Sequence, residues 1–183
     1  MTVDIVYETH SVTTDNEAGR ATGWLPGELS TYGRKLAREM GVRRGQDGLH
    51  AVFCSDLARA VETVELAFPM GRIPIHRDTR LRECDYGLFT GMPVGELERL
   101  RRHHVDRPYP NGQSYRQVVS QTRGFLRDLL GAWDGRRVLI IAHSANRWAL
   151  DHLLGGQPLE DLVDAPFDWR EGWTYRLPTG WAG

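Results

Sequence analysis

Cysteine is scarce in this sequence: Cys54 and Cys84, in 183 residues, are too few and too isolated to read as a disulfide framework. No apolar run approaches the roughly 18–20 residues that span a bilayer as a helix. The chain opens directly on a strand-like segment, without the basic stretch and apolar block of a signal peptide. An excess of one charge is also missing. Twenty-three Lys and Arg against 24 Asp and Glu leave a net charge of −1, which argues against a general nucleic-acid binder but permits a local basic patch. The histidines lack a zinc-ligand spacing, and there is no internal repeat, low-complexity tract or linker. These absences lead us to expect one cytoplasmic domain over residues 1–183, with neither membrane nor nucleic acid as partner.

What is present is a soluble globular balance, 40% hydrophobic and 26% charged, in a chain long enough to bury a substantial core. Two β-branched-rich runs each end in a histidine. Val3 to Glu8 leads into Thr9-His10-Ser11, and Val138 to Ala142 leads into His143-Ser144. Both have strand length and strand composition. In an open α/β sheet, ligands bind at the carboxyl ends of parallel strands, so two imidazoles at that edge can face one substrate.

Between these runs, strands and helices alternate. Ser30 is placed to cap a helix from about Thr31 to Met40, with Gly41 as its stop. His50 to Ser55 reads as a second strand. Asp56 is then expected to cap a helix carrying Leu57, Val61, Val64 and Phe68, ended by Pro69. Ile73 and Ile75 suggest a short extended segment, and Glu96 to Arg102 a helix. Ser114 is placed to cap the longest helix, about Tyr115 to Ala132, whose apolar residues form one stripe. Ala145 to Leu154 reads as a helix and Trp173 to Leu177 as a final edge strand. The alternation predicts an α/β fold: a mainly parallel central sheet with helices on both faces.

The order of short motifs adds a likeness. His10 is followed by Asn16, then by Thr22-Gly23-Trp24. Ser55-Asp56-Leu57-Ala58-Arg59-Ala60 follows the second strand, Leu81-Arg82-Glu83 comes next, and His143 closes the series. From Val3 to Leu154 this resembles the histidine phosphatase superfamily, branch 1, with its phosphoglycerate-mutase-like three-layer sandwich. The resemblance implies a metal-independent phosphomonoesterase that needs no cofactor and acts on a small phosphorylated molecule. His10 is then the nucleophile, forming a phosphohistidine that water hydrolyses. Arg59 binds the phosphoryl group, His143 donates to its oxygens, and Glu83 protonates the leaving oxygen, with Asp85 in reserve. Thr9, Ser11, Asn16, Thr22, Gly23 and Ser144 are expected around the phosphate and substrate.

Each role also has a physical basis. Phosphoryl transfer requires an in-line nucleophile, cations at the equatorial oxygens and a proton for the leaving group. A neutral imidazole suits the first, a guanidinium near a helix N-terminus the second, and a carboxyl with a raised pKa the third.

The likeness has one departure at its centre. The family reads Arg-His-Gly where this chain has Thr9-His10-Ser11. Losing one transition-state donor typically costs about 2.7–4 kcal/mol, and Arg20 or Arg147 is a candidate replacement. The alternative is a pocket repurposed for binding, or for acid–base chemistry on, a non-phosphorylated biosynthetic intermediate. Gln113 stands where the family often has glutamate. The basic run Arg101-Arg102-His103-His104, with Arg107, reads as a solvated insertion or as a cover over the site. Trp169, Trp173, Tyr175 and Trp181 are expected in packing or at an interface, such as that of a homodimer.

Overall fold

The computed structural model describes residues 1–69, 71 and 73–183. Five strands form one sheet: β1 (Thr2–Thr9), β2 (Ala51–Cys54), β3 (Ile75–Arg77), β4 (Arg137–Ala142) and β5 (Trp173–Pro178), in the order β3-β2-β4-β1-β5. All neighbours are parallel except β1 and β5. The helices are α1 (Thr14–Glu17), α2 (Thr31–Arg44), α3 (Ala58–Ala67), α4 (Val94–Leu100), α5 (Tyr115–Trp133), α6 (Ser144–Gly155) and α7 (Leu159–Asp164). The expected α/β architecture is observed.

The period-two alternation of the strands separates two cores. Val3, Ile5, Tyr7, Ala51, Phe53, Val138, Ile140 and Ala142 pack against Phe125, Leu126 and Leu129 of α5 and Leu150 of α6. On the other face Val6, Val52, Cys54, Leu139 and Ile141 meet Met40 of α2 and Ala60 and Val64 of α3. Leu139, Ile140 and Ile141 are fully buried, each stabilising the fold by about 1.5–3 kcal/mol relative to exposure. Both faces of β4 are therefore covered, which is why it reads as an unbroken apolar run.

Ser30 and Ser114 cap α2 and α5 as expected, accepting from the backbone N–H of Gly33 and Gln117. Three boundaries differ from the sequence expectation. Helix α2 continues through Gly41 to Arg44, because Gly41 is a contact point and not a stop: a Cβ there would lie 2.1 Å from the Ala67 carbonyl oxygen of α3. Asp56 does not cap α3, whose N-cap is Leu57; its carboxylate instead pairs with Arg82 at 2.6 Å. The segment around residues 96–102 is split, with α4 ending at Leu100 and a 3₁₀ turn over Arg101–His104. Ile75 lies in β3, and Ile73 precedes that strand. Among the described residues no helix is long and apolar enough to cross a membrane.

Candidate active site

The sheet order brings the chemistry together. Thr9 and Ala142 are register partners at the ends of β1 and β4, so the next residues, His10 and His143, leave neighbouring strands side by side. Their ring centroids are 5.1 Å apart. The backbone N–H of His10 extends the ladder one step by donating to the Ala142 carbonyl at 2.8 Å. On the other side of β4 lies β2, and the turn after it delivers Arg59 in the first turn of α3. Three residues separated by up to 133 positions thus converge through strand adjacency.

A cleft of about 350 Å³ opens at this edge, and its walls include Thr9, His10, Asn16, Arg20, Thr22, Gly23, Arg59, Glu83, Arg101 and Ser144. His10 has a defined tautomer. Its Nδ1 lies 2.7 Å from the Ser11 carbonyl oxygen, which can only accept, so Nδ1 carries the proton and Nε2 holds a lone pair. Arg59 Nε donates towards that lone pair at 3.3 Å. Burial first, and the Arg59 charge second, push the His10 pKa down to about 3. The imidazole is neutral and its lone pair is available.

Arg59 is 2% exposed, yet among the described residues no carboxylate is hydrogen-bonded to it. Nη1 donates to the Leu25 carbonyl at 2.8 Å, and Nη2 to that of Gly23 at 2.8 Å. A buried guanidinium held by neutral acceptors keeps its full charge for an incoming anion. His143 is fully buried behind it. Arg59 Nη2 donates to His143 Nδ1 at 3.3 Å, which puts the His143 proton on Nε2, where it is donated to Ser55 Oγ at 2.7 Å. Burial and the Arg59 charge hold the His143 pKa well below the usual range. In this resting arrangement His143 holds Arg59 and is not itself part of the cleft wall.

Glu83 enters from the loop after the 3₁₀ turn Thr79–Leu81. Its Oε1 accepts from the backbone N–H of Cys84 at 2.8 Å and of Ala145, in the first turn of α6, at 3.3 Å. Burial raises its pKa despite these bonds and the Arg59 charge. Buried Asn146 ties the two segments together, accepting from the His143 N–H at 3.2 Å and donating to the Arg82 carbonyl at 3.2 Å. Trp24 Nε1 donates to the Glu83 carbonyl at 2.6 Å. The loop over residues 22–26 is therefore tethered to both Arg59 and Glu83.

Not every expected residue reaches the cleft. Ser11 turns its hydroxyl away, onto the Gly33 carbonyl of α2 at 2.6 Å. Asn16 lines the cleft, but its amide oxygen is engaged in capping α1 through the Thr13 N–H at 3.0 Å. Thr22 donates its hydroxyl to Asp15 at 2.9 Å. Asp85 accepts from the Gly87 N–H at 2.9 Å, and Gln113 from the Asp85 N–H at 3.2 Å, so both brace the loop after Glu83. Of the two candidate replacement cations, Arg20 lines the cleft, whereas Arg147 pairs with Asp151 at 3.2 Å and lies over Trp173. Burial pushes the Cys84 thiol pKa up, which keeps it protonated and a poor nucleophile.

Sequence reasoning missed Glu98, Tyr86 and Phe167, left Arg101 between a solvated insertion and a cover over the site, and placed Trp169 in packing or at an interface; all five line the cleft. The basic run does not act as one unit. Arg102 pairs with Asp164 at 3.2 Å on the surface, and His104 is buried, stacked on Tyr109. The signal for Arg101 was available, since it stands four residues after the buried Leu97 and so shares its face.

The chain has counterparts among known proteins. The sequence profile of the histidine phosphatase superfamily (branch 1) matches residues 9–169. The uncharacterized phosphatase PhoE of Bacillus subtilis is 30% identical over 150 residues, covering 81% of this chain and 76% of that protein. Phosphoserine phosphatase 1 of Hydrogenobacter thermophilus is 25% identical over 152 residues, covering 78% and 71%. The solved structure of a mycobacterial glucosyl-3-phosphoglycerate phosphatase superposes with a TM-score of 0.78 at 26% identity, over 87% of this chain and 85% of that one.

Proposed function

Because this chain belongs to the histidine phosphatase superfamily (branch 1), we propose that it hydrolyses phosphate monoesters of small metabolites through a phosphohistidine on His10. The observation that carries this reading is the His10 tautomer: Nδ1–H is held by the Ser11 carbonyl, and the Nε2 lone pair faces the Arg59 guanidinium. Two similar proteins are by name phosphatases of phosphoserine and of glucosyl-3-phosphoglycerate, which supports this reading.

In this mechanism Nε2 attacks phosphorus in line with the departing ester oxygen. Arg59 neutralises charge on the equatorial oxygens. The P–N bond forms as the P–O bond breaks, and Glu83 delivers its proton to the leaving alkoxide. Glu83, now a carboxylate, takes a proton from water as that water attacks phosphorus. The P–N bond then breaks, inorganic phosphate departs, and His10 regains its lone pair. His143 stands behind Arg59 and accepts from its Nη2 at Nδ1, so it acts by holding the guanidinium where the phosphoryl oxygens bind. Thr9 supplies no charge, so Arg59 carries the anion-binding role, with Arg20 and the Ser144 side chain beside it in the cleft wall.

The test is phosphate release from phosphoserine, phosphoglycerates, sugar phosphates and p-nitrophenyl phosphate, without added metal, by the wild type and by His10→Ala. We expect release by the wild type, an acid-labile phosphoenzyme on rapid quenching, and loss of both in the variant. Equal release by His10→Ala overturns the phosphohistidine route.

A further inference from the structure

Ser11 stands where the family places glycine, and its hydroxyl is turned away from the cleft. Each of its three polar groups is held by a different part of the fold. The hydroxyl donates to the Gly33 carbonyl, in the first turn of α2, at 2.6 Å. The backbone N–H donates to Thr63 Oγ1 of α3 at 3.0 Å. The carbonyl accepts from His10 Nδ1 at 2.7 Å. Ser11 is itself buried, so water does not compete for these bonds.

The two anchors are fixed in turn. Thr63 is fully buried, and its hydroxyl proton goes to the Arg59 carbonyl one helical turn earlier, at 2.7 Å. Gly33 N–H donates to the Ser30 cap at 3.0 Å, and Ser30 N–H to the Val12 carbonyl at 3.0 Å. The start of α2 thus grips both residues that follow His10, and α3 ties the same segment to the backbone of Arg59.

One chemical consequence falls on His10. In water a neutral histidine carries its proton mainly on Nε2, and an acceptor at Nδ1 reverses that preference. Attack by Nε2 requires the reversed form. So does the bond from Arg59 Nε at 3.3 Å, because the other form sets two N–H donors face to face. A carbonyl selects the tautomer only as well as its own position is held. Glycine at position 11 would keep the carbonyl but lose the hydroxyl anchor and gain backbone freedom.

We propose that Ser11 is a positioning residue for the nucleophile: its hydroxyl on Gly33 and its N–H on Thr63 fix the carbonyl that keeps the His10 proton on Nδ1. Ser11 acts through His10 and touches no substrate. The catalytic consequence rests on the phosphatase reading above, whereas the tautomer does not.

Protein labelled with ¹⁵N-histidine, studied by two-bond ¹H–¹⁵N correlation at pH 7 where the His10 ring is neutral, reports protonated and bare ring nitrogens separately. His10→Ala identifies the signals. The wild type is expected to show one form, with the proton on Nδ1. Ser11→Ala and Ser11→Gly are expected to show both forms, with kcat/KM for p-nitrophenyl phosphate lowered about three- to ten-fold, the range that one net hydrogen bond supplies. If Ser11 only fills space, restoring the family glycine costs nothing. A single unchanged tautomer in both variants, or two tautomers with an unchanged kcat/KM, overturns the proposal. If the Ser11 variants do not fold, the other anchor decides. Thr63→Val removes the acceptor and is expected to mix the tautomers, and the conservative Thr63→Ser to restore the wild-type form; identical spectra for the two refute it. If the wild type releases no phosphate from any ester, the phosphatase reading fails, and the spectra alone decide whether Ser11 sets the tautomer.

Discussion

Glu83→Gln tests the division of labour within the cleft. One carboxylate oxygen of Glu83 is occupied: Oε1 accepts from Cys84 N–H at 2.8 Å and Ala145 N–H at 3.3 Å. The transferable proton therefore belongs on Oε2. Glutamine keeps the accepting oxygen and the side-chain volume, so the anchor to α6 survives while the proton is lost. General acid catalysis contributes typically about 10²–10⁴-fold, and that is the expected fall in kcat/KM for an alkyl phosphate such as glycerol phosphate. For p-nitrophenyl phosphate, whose leaving oxygen is weakly basic and departs without a proton, the fall is expected to stay within about ten-fold, well short of that range. The alkyl rate of the wild type also declines as pH rises through the raised Glu83 pKa, because the acid form is lost. In the variant this alkaline limb disappears. Because kcat/KM covers only the steps through departure of the alcohol, slow hydrolysis of the phosphoenzyme does not mask the difference. An equal loss on both substrates would show that Glu83 serves as an anchor for α6 and not as the acid.

Two further perturbations probe the scaffold. His10 and His143 both have pKa values depressed by burial, so the unfolded chain takes up protons below its own value near 6.5 that the folded chain does not. Stability from these groups is full above that pH and declines below it. Linkage gives about 2 kcal/mol between pH 7 and pH 5 for His10, whose folded value is about 3, and His143 acts in the same direction. Glu83 acts in the opposite direction, since its stabilising effect is full at low pH and lost as pH rises through its raised folded pKa. We expect urea unfolding to show a net loss on the order of 2 kcal/mol at pH 5 relative to pH 7, smaller in His10→Ala; a free energy independent of pH would contradict the buried neutral pair. Gly33→Ala places a Cβ 1.8 Å from the Val12 carbonyl oxygen, in the loop that follows His10. Overpacking of this kind costs about 1–3 kcal/mol, which at about 2–4 °C per kcal/mol for a chain this size lowers Tm by several degrees; an unchanged Tm would mean that α2 shifts without cost.

The central strands and their terminal histidines were legible because local rules and global packing agree there. β4 is covered on both faces, so its residues form one apolar run, and the helix caps at Ser30 and Ser114 follow from side-chain chemistry within three positions. The order of motifs identified His10, Arg59, Glu83 and His143 as a set, since each stands at an element boundary whose type is visible locally. Their mutual geometry was not legible. It arises from the adjacency β2-β4-β1, which joins residues far apart in the chain. The same holds for Gly41, which looks like a helix stop until Ala67 is seen against it, and for Ser11, whose hydroxyl is taken by Gly33 from another element. Arg101 stands in a run that reads either as a solvated insertion or as a cover over the site, and only the packing of its guanidinium over Trp148, in the cleft wall, decides between them. The sequence by itself determined which chemical groups the protein owns and which elements carry them. The tertiary structure decided which of those groups share one low-dielectric space, and hence which are neutral, which remain charged and which a substrate can reach.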